Sequence, residues 1–190
     1  MPRPTDPDRR PALLDEAVSD LARHGLAGLS LRPLADRLGV STYALTYHFG
    51  SKQGLLNAVV NRALERQAAE LTDVLASTAG PADAVRAVWG WMATRRDENR
   101  LVWEVVVVRE PPLNADLRRR AVATWVSFVA EGLAARGMPT NHARREATKL
   151  YATLSGLELA AIAGLEEQLV TETVEIVAEA TAMRWAPPRA

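Results

Sequence analysis

Tyr43 and Tyr47 stand four residues apart, and Thr42 and Thr46 repeat the spacing, inside the stretch VSTYALTYHFGSK from Val40 to Lys52. On a helix, residues i and i+4 share a face. The four would therefore set two phenols and two hydroxyls side by side. The whole chain has two Phe, three Tyr and five Trp, so this clustering among polar groups is a pattern to explain. Such a face suits a polyanion with apolar spots. Tyr and Thr hydroxyls donate to phosphates, and Thr methyls and aromatic rings meet the methyl of thymine. Lys52 would open the next helix, where free backbone N–H groups and an ammonium make a phosphate site. Arg32, in the first turn of the preceding helix, can do the same. The plainer alternative packs Tyr43 and Tyr47 against a neighbouring element. The hydroxyl-rich surroundings argue against it, since each buried hydroxyl needs a partner.

The elements that must carry this face are legible around it. Leu13, Leu14, Ala17, Val18, Leu21 and Ala22 recur at helical spacing from Pro11 to Gly25. Ser30 is expected to cap a short second helix, with Pro33 in its first turn and Leu31, Leu34, Ala35 and Leu38 on its apolar face. Gly39 ends it. Ser41 is expected to cap a third helix over about Thr42 to His48, which Gly50 breaks, and Ser51 to cap a long fourth reaching about Leu75. Leu45 and Phe49 point to one side and, with Leu38 and Val40, should lock the third helix to the second. Short helix, glycine turn, short helix is helix-turn-helix spacing.

The rest of the chain reads as helix too: about 81–96, 98–109, 115–136, 140–163 and 166–184. LVWEVVVV could be a strand, but no other segment could pair with it, so helix is preferred. The fold class expected is all-α, about nine helices in all. It divides into an arm at 1–10, a three-helix domain at 11–56 and a helical domain at 57–190. The arm carries Arg3, Arg9 and Arg10. It is either a solvated tail or a reach toward a polyanion.

Composition narrows the function classes. Hydrophobic residues make up 48% of 190, and the formal net charge is zero. A core is therefore feasible, and a basic surface would have to be local. There is no cysteine, and His24, His48 and His142 are far apart. No metal site, cofactor or catalytic constellation is expected, and so no enzyme. The Pro-rich start lacks an apolar signal-peptide core, and no apolar run reaches the ~18 residues of a membrane span. The default compartment is the cytoplasm, with no membrane partner.

Residues from about Leu13 to Leu64 resemble the DNA-binding domain of the TetR family of bacterial transcriptional regulators. The resemblance rests on LLDEAVSDLARHGLAGLSLRPLADRLGV followed by STYALTYHFGSKQGLL. It implies that Ser30 and Arg32 meet the DNA backbone, and that Ser41, Thr42, Tyr43 and Ala44 enter the groove where bases are read. His48 and Lys52 fall on further backbone positions. The family usually has Tyr directly after the helix leucine; here Thr46 holds that place and Tyr47 follows. The bond to phosphate made at that place is missing, weakened or passed to Tyr47. The reading face has no Arg or Asn, so bidentate recognition of guanine or adenine is not expected from it.

Beyond this segment the family diverges, and the residues are read on their own terms. Trp89, Met92, Trp103, Val106, Trp125, Phe128 and Tyr151 form aromatic and apolar stripes. They are either ordinary core or the lining of a cavity for a small apolar or amphipathic effector. Glu104, amid an apolar helix, is exposed, paired with an arginine, or reserved for a ligand. The last two helices carry small residues beside Leu and Ile. The resemblance implies a four-helix homodimer interface there; packing within the chain would use the same residues. The expected function is a ligand-responsive repressor binding double-stranded DNA as a homodimer on a palindromic operator. A helical carrier or enzyme-like domain, and a helix-turn-helix adaptor for proteins, are the alternatives.

Overall fold

The structure is a computed structural model that describes residues 9–26, 29–107 and 115–185. Its elements are α1 (Arg9–His24), α2 (Leu31–Arg37), α3 (Thr42–Phe49), α4 (Lys52–Ala76), α5 (Pro81–Thr94), α6 (Arg96–Val107), α7 (Ala115–Ala135), α8 (Thr140–Ile162) and α9 (Glu167–Trp185). The described residues contain no strand. The all-α expectation holds, and LVWEVVVV is helical through Val107. No helix among the described residues is long and apolar enough to cross a membrane.

The chain forms two compact units: Met1–Gln67 with Arg96–Val122, and Ala68–Arg95 with Ala123–Ala190. The division is discontinuous and does not fall near residue 56. Both α4 and α7 pass from one unit into the other. Residues 1–8, including Arg3, lie outside the described residues. Arg9 and Arg10 do not extend the arm: they open α1, which begins before Pro11.

The core of the first unit joins five helices. Leu13, Ala17, Val18 and Leu21 of α1 meet Leu34 and Ala35 of α2, Leu45 and Phe49 of α3, Leu55, Leu56, Val59 and Ala63 of α4, and Leu101 of α6. Each fully buried Leu contributes roughly 1.5–3 kcal/mol relative to exposure. One ion pair fixes α2 on α1. Asp20 is buried, and Arg37 grips it with Nε 3.0 Å from both carboxylate oxygens and Nη2 2.7 Å from Oδ2. Burial alone would push the Asp20 carboxyl up, but the Arg37 hydrogen bonds and charge outweigh it and hold the pKa below its ordinary value.

The far end of α1 is closed by α6. Arg100 Nη2 donates to the carbonyls of Ala22 (3.0 Å) and Arg23 (3.1 Å), in the last turn of α1, which lacks intrahelical partners. Glu104 Oε2 accepts from the Leu26 N–H at 2.5 Å. Gly25 between them has φ +77°, and a Cβ there would lie 2.9 Å from Glu104 Oε1. The left-handed backbone calls for glycine, and a Cβ would also push the carboxylate from this position. Buried Gln67 of α4 adds a hydrogen bond of 3.0 Å to Asn99 of α6.

In the second unit, Leu71, Val85, Val88, Met92, Leu150, Leu154, Leu157, Val174 and Ala178 form the core, with Trp89, Trp91, Trp125 and Phe128 packed against it. Trp91 Nε1 donates to Glu70 at 2.9 Å, and Arg86 Nη2 pairs with Glu175 at 2.7 Å, tying α5 to α4 and α9.

Asp20→Asn should lower the free energy of unfolding at neutral pH by about 1–3 kcal/mol in urea titrations. A carboxyl depressed on folding stabilises above its unfolded pKa and loses that contribution as pH falls through the folded one. The gap between wild type and variant should therefore close as pH drops below about 3.9.

Candidate nucleic-acid interface

The turn between α2 and α3 is compact. Leu38 N–H reaches the Leu34 carbonyl and Val40 N–H the Ala35 carbonyl, each at 3.0 Å, while Gly39 takes φ +64° to reverse the chain. Ser41 then starts α3: its Oγ accepts from Ala44 N–H at 3.1 Å. At the other end, Ser51 Oγ accepts from Gly54 N–H at 3.0 Å and starts α4. Ser30 departs from expectation. It precedes α2 in an extended conformation, but its side chain accepts no bond from the helix. Ser30 is exposed instead, and Arg32 is exposed as well.

Helix α3 has two faces. Leu45 is fully buried and Phe49 is 8% exposed; Tyr43 and Tyr47 are 67% and 53% exposed. The two phenol rings lie 6.2 Å apart, and the His48 ring stands edge-on to Tyr47 at 5.2 Å. Ser41 and Thr42 are exposed; Ala44, Thr46 and His48 are less uniformly so. Lys52 is the first residue of α4 and partly exposed. The structure thus brings Ser41, Thr42, Tyr43, Ala44, Thr46, Tyr47 and His48 together on one short helix, with Lys52 following.

Thr46 is set apart by its hydrogen bonds. Its Oγ1 lies 3.1 Å from the Thr42 carbonyl and 3.0 Å from the Tyr43 carbonyl. The hydroxyl proton is therefore engaged within the helix. Phosphate oxygens only accept, so this hydroxyl has no proton left for one. The neighbouring Tyr47 phenol is the exposed donor.

One residue at this end of α3 carries no local mark in the sequence. Arg10, expected in the arm, donates from Nε to the His48 carbonyl at 3.1 Å and lies over the Phe49 ring, 5.4 Å from its centroid. Arg10 and His48 are 38 residues apart in the chain, beyond the reach of any periodicity or capping signal.

The expected effector-pocket residues are divided between the two units. Trp89, Met92, Trp125 and Phe128 gather in the second unit, with the Tyr151 ring 5.3 Å from Trp125. Burial pushes the Tyr151 hydroxyl pKa up. Trp103 and Glu104 belong to the first unit. Glu104 pairs with Arg100, as one alternative had it, at 3.6 Å and accepts from the Leu26 N–H; the Val106 side chain lies outside the described residues. A groove in the second unit is lined by Leu75, Val85, Val88, Trp125, Leu150 and others, with Arg136 and Thr181 as its polar side chains; it holds roughly 510 Å³ counting its open side. Trp125 is the one expected residue on its wall.

Comparison with known proteins bears on the family and the fold. A family model for bacterial regulatory proteins of the tetR family matches residues 13–59. An HTH-type transcriptional regulator BetI from Paraburkholderia phytofirmans is 30% identical over 165 residues, covering 80% of each chain. Its namesake from Burkholderia thailandensis is 29% identical over 167 residues, covering 82% of this chain and 83% of that one. Among solved structures, the multidrug binding protein EbrR complexed with imidazole has a TM-score of 0.69 at 26% identity, covering 100% of this chain and 96% of that one. A transcriptional regulator from Rhodococcus sp. RHA1 has a TM-score of 0.73 at 26% identity, covering 94% and 97%.

Leu45→Ala should cost about 2–5 kcal/mol of stability, whereas Tyr43→Ala and Tyr47→Ala should each stay within about 0.5 kcal/mol. Urea unfolding of the three variants checks the assignment of faces.

Proposed function

The chain belongs to the tetR family of bacterial regulatory proteins, and from that premise we propose that it represses transcription as a homodimer seated on a palindromic operator. It is a helix-turn-helix transcriptional regulator; the repressor sign, the dimer and the operator symmetry are our reading. The observation that carries it is the exposed Tyr43–Tyr47 face on a helix whose other face is buried. A surface of phenols, backed by Leu45 and Phe49, is positioned for a groove and stabilises nothing by being exposed. Each subunit lays α3 in a major groove. Ser41, Thr42, Tyr43 and Ala44 meet base edges, mostly through apolar contact with thymine methyls. Ser30, Arg32, Tyr47, His48 and Lys52 meet phosphates. Half-sites lie about one helical turn apart, roughly 34–36 Å. A dimer lying over a promoter blocks it without further contacts, which favours repression.

Two features support the dimer and the ligand response. Leu159, Ile162, Leu165, Leu169, Ile176 and Met183 are exposed in or between α8 and α9. Large apolar side chains gathered in this way suit a partner surface. The apolar groove beside Trp125 suits a small molecule of the same character, and the similar EbrR is described as a multidrug binding protein. Binding there shifts the subunits toward an arrangement that fits the operator less well. The protein acts in the cytoplasm, and its activity is binding, with no reaction catalysed.

Selection from random duplexes, followed by electrophoretic shift, tests the reading. Tyr43→Ala should relax sequence preference. Lys52→Ala should weaken every duplex alike and lower the salt slope by about 1 for each phosphate no longer neutralised. If no duplex is bound in a salt-dependent way, DNA binding is ruled out. Separately, Ile176→Asp should convert dimer to monomer in native mass spectrometry.

A further inference from the structure

The first turn of α1 holds a cation against the end of α3. Arg10 is exposed, yet its guanidinium is fixed from two sides: Nε–H donates to the His48 carbonyl at 3.1 Å, and Cζ lies over the Phe49 ring, 5.4 Å from its centroid. The last turn of a helix leaves carbonyls without intrahelical partners, so a cation there is favourable. That accounts for one N–H of five. Among the described residues, both Nη groups of Arg10 have no partner. A guanidinium held in place by a ring and a carbonyl has little freedom still to lose when it meets an oxyanion. It stands at the end of α3 marked by His48, and Lys52 opens α4 four residues later.

We infer that Arg10 is a phosphate contact of the DNA interface, supplied by α1 and pre-oriented by His48 and Phe49. This rests on the reading of α3 as the groove helix. Arg10 joins His48 and Lys52 as the third basic group at that end, and places one strand's backbone against the junction of α1, α3 and α4. Its role is orientation and affinity, not base choice. A residue that merely capped α3 would affect the fold and leave the number of neutralised phosphates unchanged.

Salt-dependent binding to a selected operator separates the two roles. Arg10→Met should weaken binding roughly tenfold or more, alike for all duplexes. The slope of log K against log salt should become shallower by about 0.9 per subunit. Arg10→Lys should restore the slope, since it keeps the charge. Arg10→Gln keeps a donor for the His48 carbonyl without the charge, and serves if Arg10→Met does not fold; it should show the same shallower slope. An unchanged slope in Arg10→Gln, with wild type binding normally, overturns this inference and leaves the proposed function standing. Absence of salt-dependent binding by wild type overturns both.

Discussion

An eight-residue helix is not stable alone in water, and α3 must nevertheless present its outer face to another molecule. Everything else in the first unit follows from that constraint. The outer face contributes nothing to the fold, so the inner one must hold the helix: Leu45 and Phe49 are its anchors. Two side chains per short helix suffice only if the surface receiving them is rigid. The core built from α1, α2, α4 and α6 supplies that surface, and the serine caps at Ser41 and Ser51 set where α3 and α4 begin.

Helix α1 is the reference element. Near its start Arg10 reaches the end of α3. Further along, Asp20 receives Arg37 of α2. At its last turn Arg100 and Glu104 of α6 complete the backbone hydrogen bonds. Each contact is charged, and each fixes one neighbour. Apolar packing alone tolerates sliding and small rotations; a bidentate carboxylate–guanidinium pair specifies a direction. Arg10 and Arg100 also lie at helix carbonyl ends, where a cation is favourable; Glu104 instead accepts from the Leu26 N–H just beyond α1.

Much of this architecture is legible in the sequence, because apolar periodicity, glycine stops and serine caps are local signals. They locate every described helix, with ends mostly within two residues. The family resemblance is visible for the same reason: its motif is contiguous. What escapes is long-range. Ser30 has the residue type of a cap but not the hydrogen bond. Glu104 reads as exposed, paired with an arginine or reserved for a ligand; the arginine is Arg100, 3.6 Å away, but the backbone N–H it also binds lies 78 residues off and leaves no local signal. Arg10 reads as part of a tail because nothing nearby shows its carbonyl acceptor. Trp103 falls in with Trp89 and Trp125 by spacing along the chain, which carries no information on which unit a helix joins. The unit boundary itself is hidden, since α4 and α7 cross it as unbroken helices with no Pro- or Gly-rich linker.

That crossing bears on modularity. The stretch that carries the family motif looks like a portable cassette, an N-terminal head to be joined to any body. It is not self-sufficient. Leu101 in its core and the Arg100–Glu104 closure of α1 come from a segment that rejoins the unit only at Arg96, after the chain leaves it at Gln67. A chimera cut within α4 would graft the reading helix without the element that finishes its foundation. Recombination in such a scaffold is therefore constrained to exchange α6 together with the head, or to find in the new body another helix that presents an arginine and a carboxylate one turn apart.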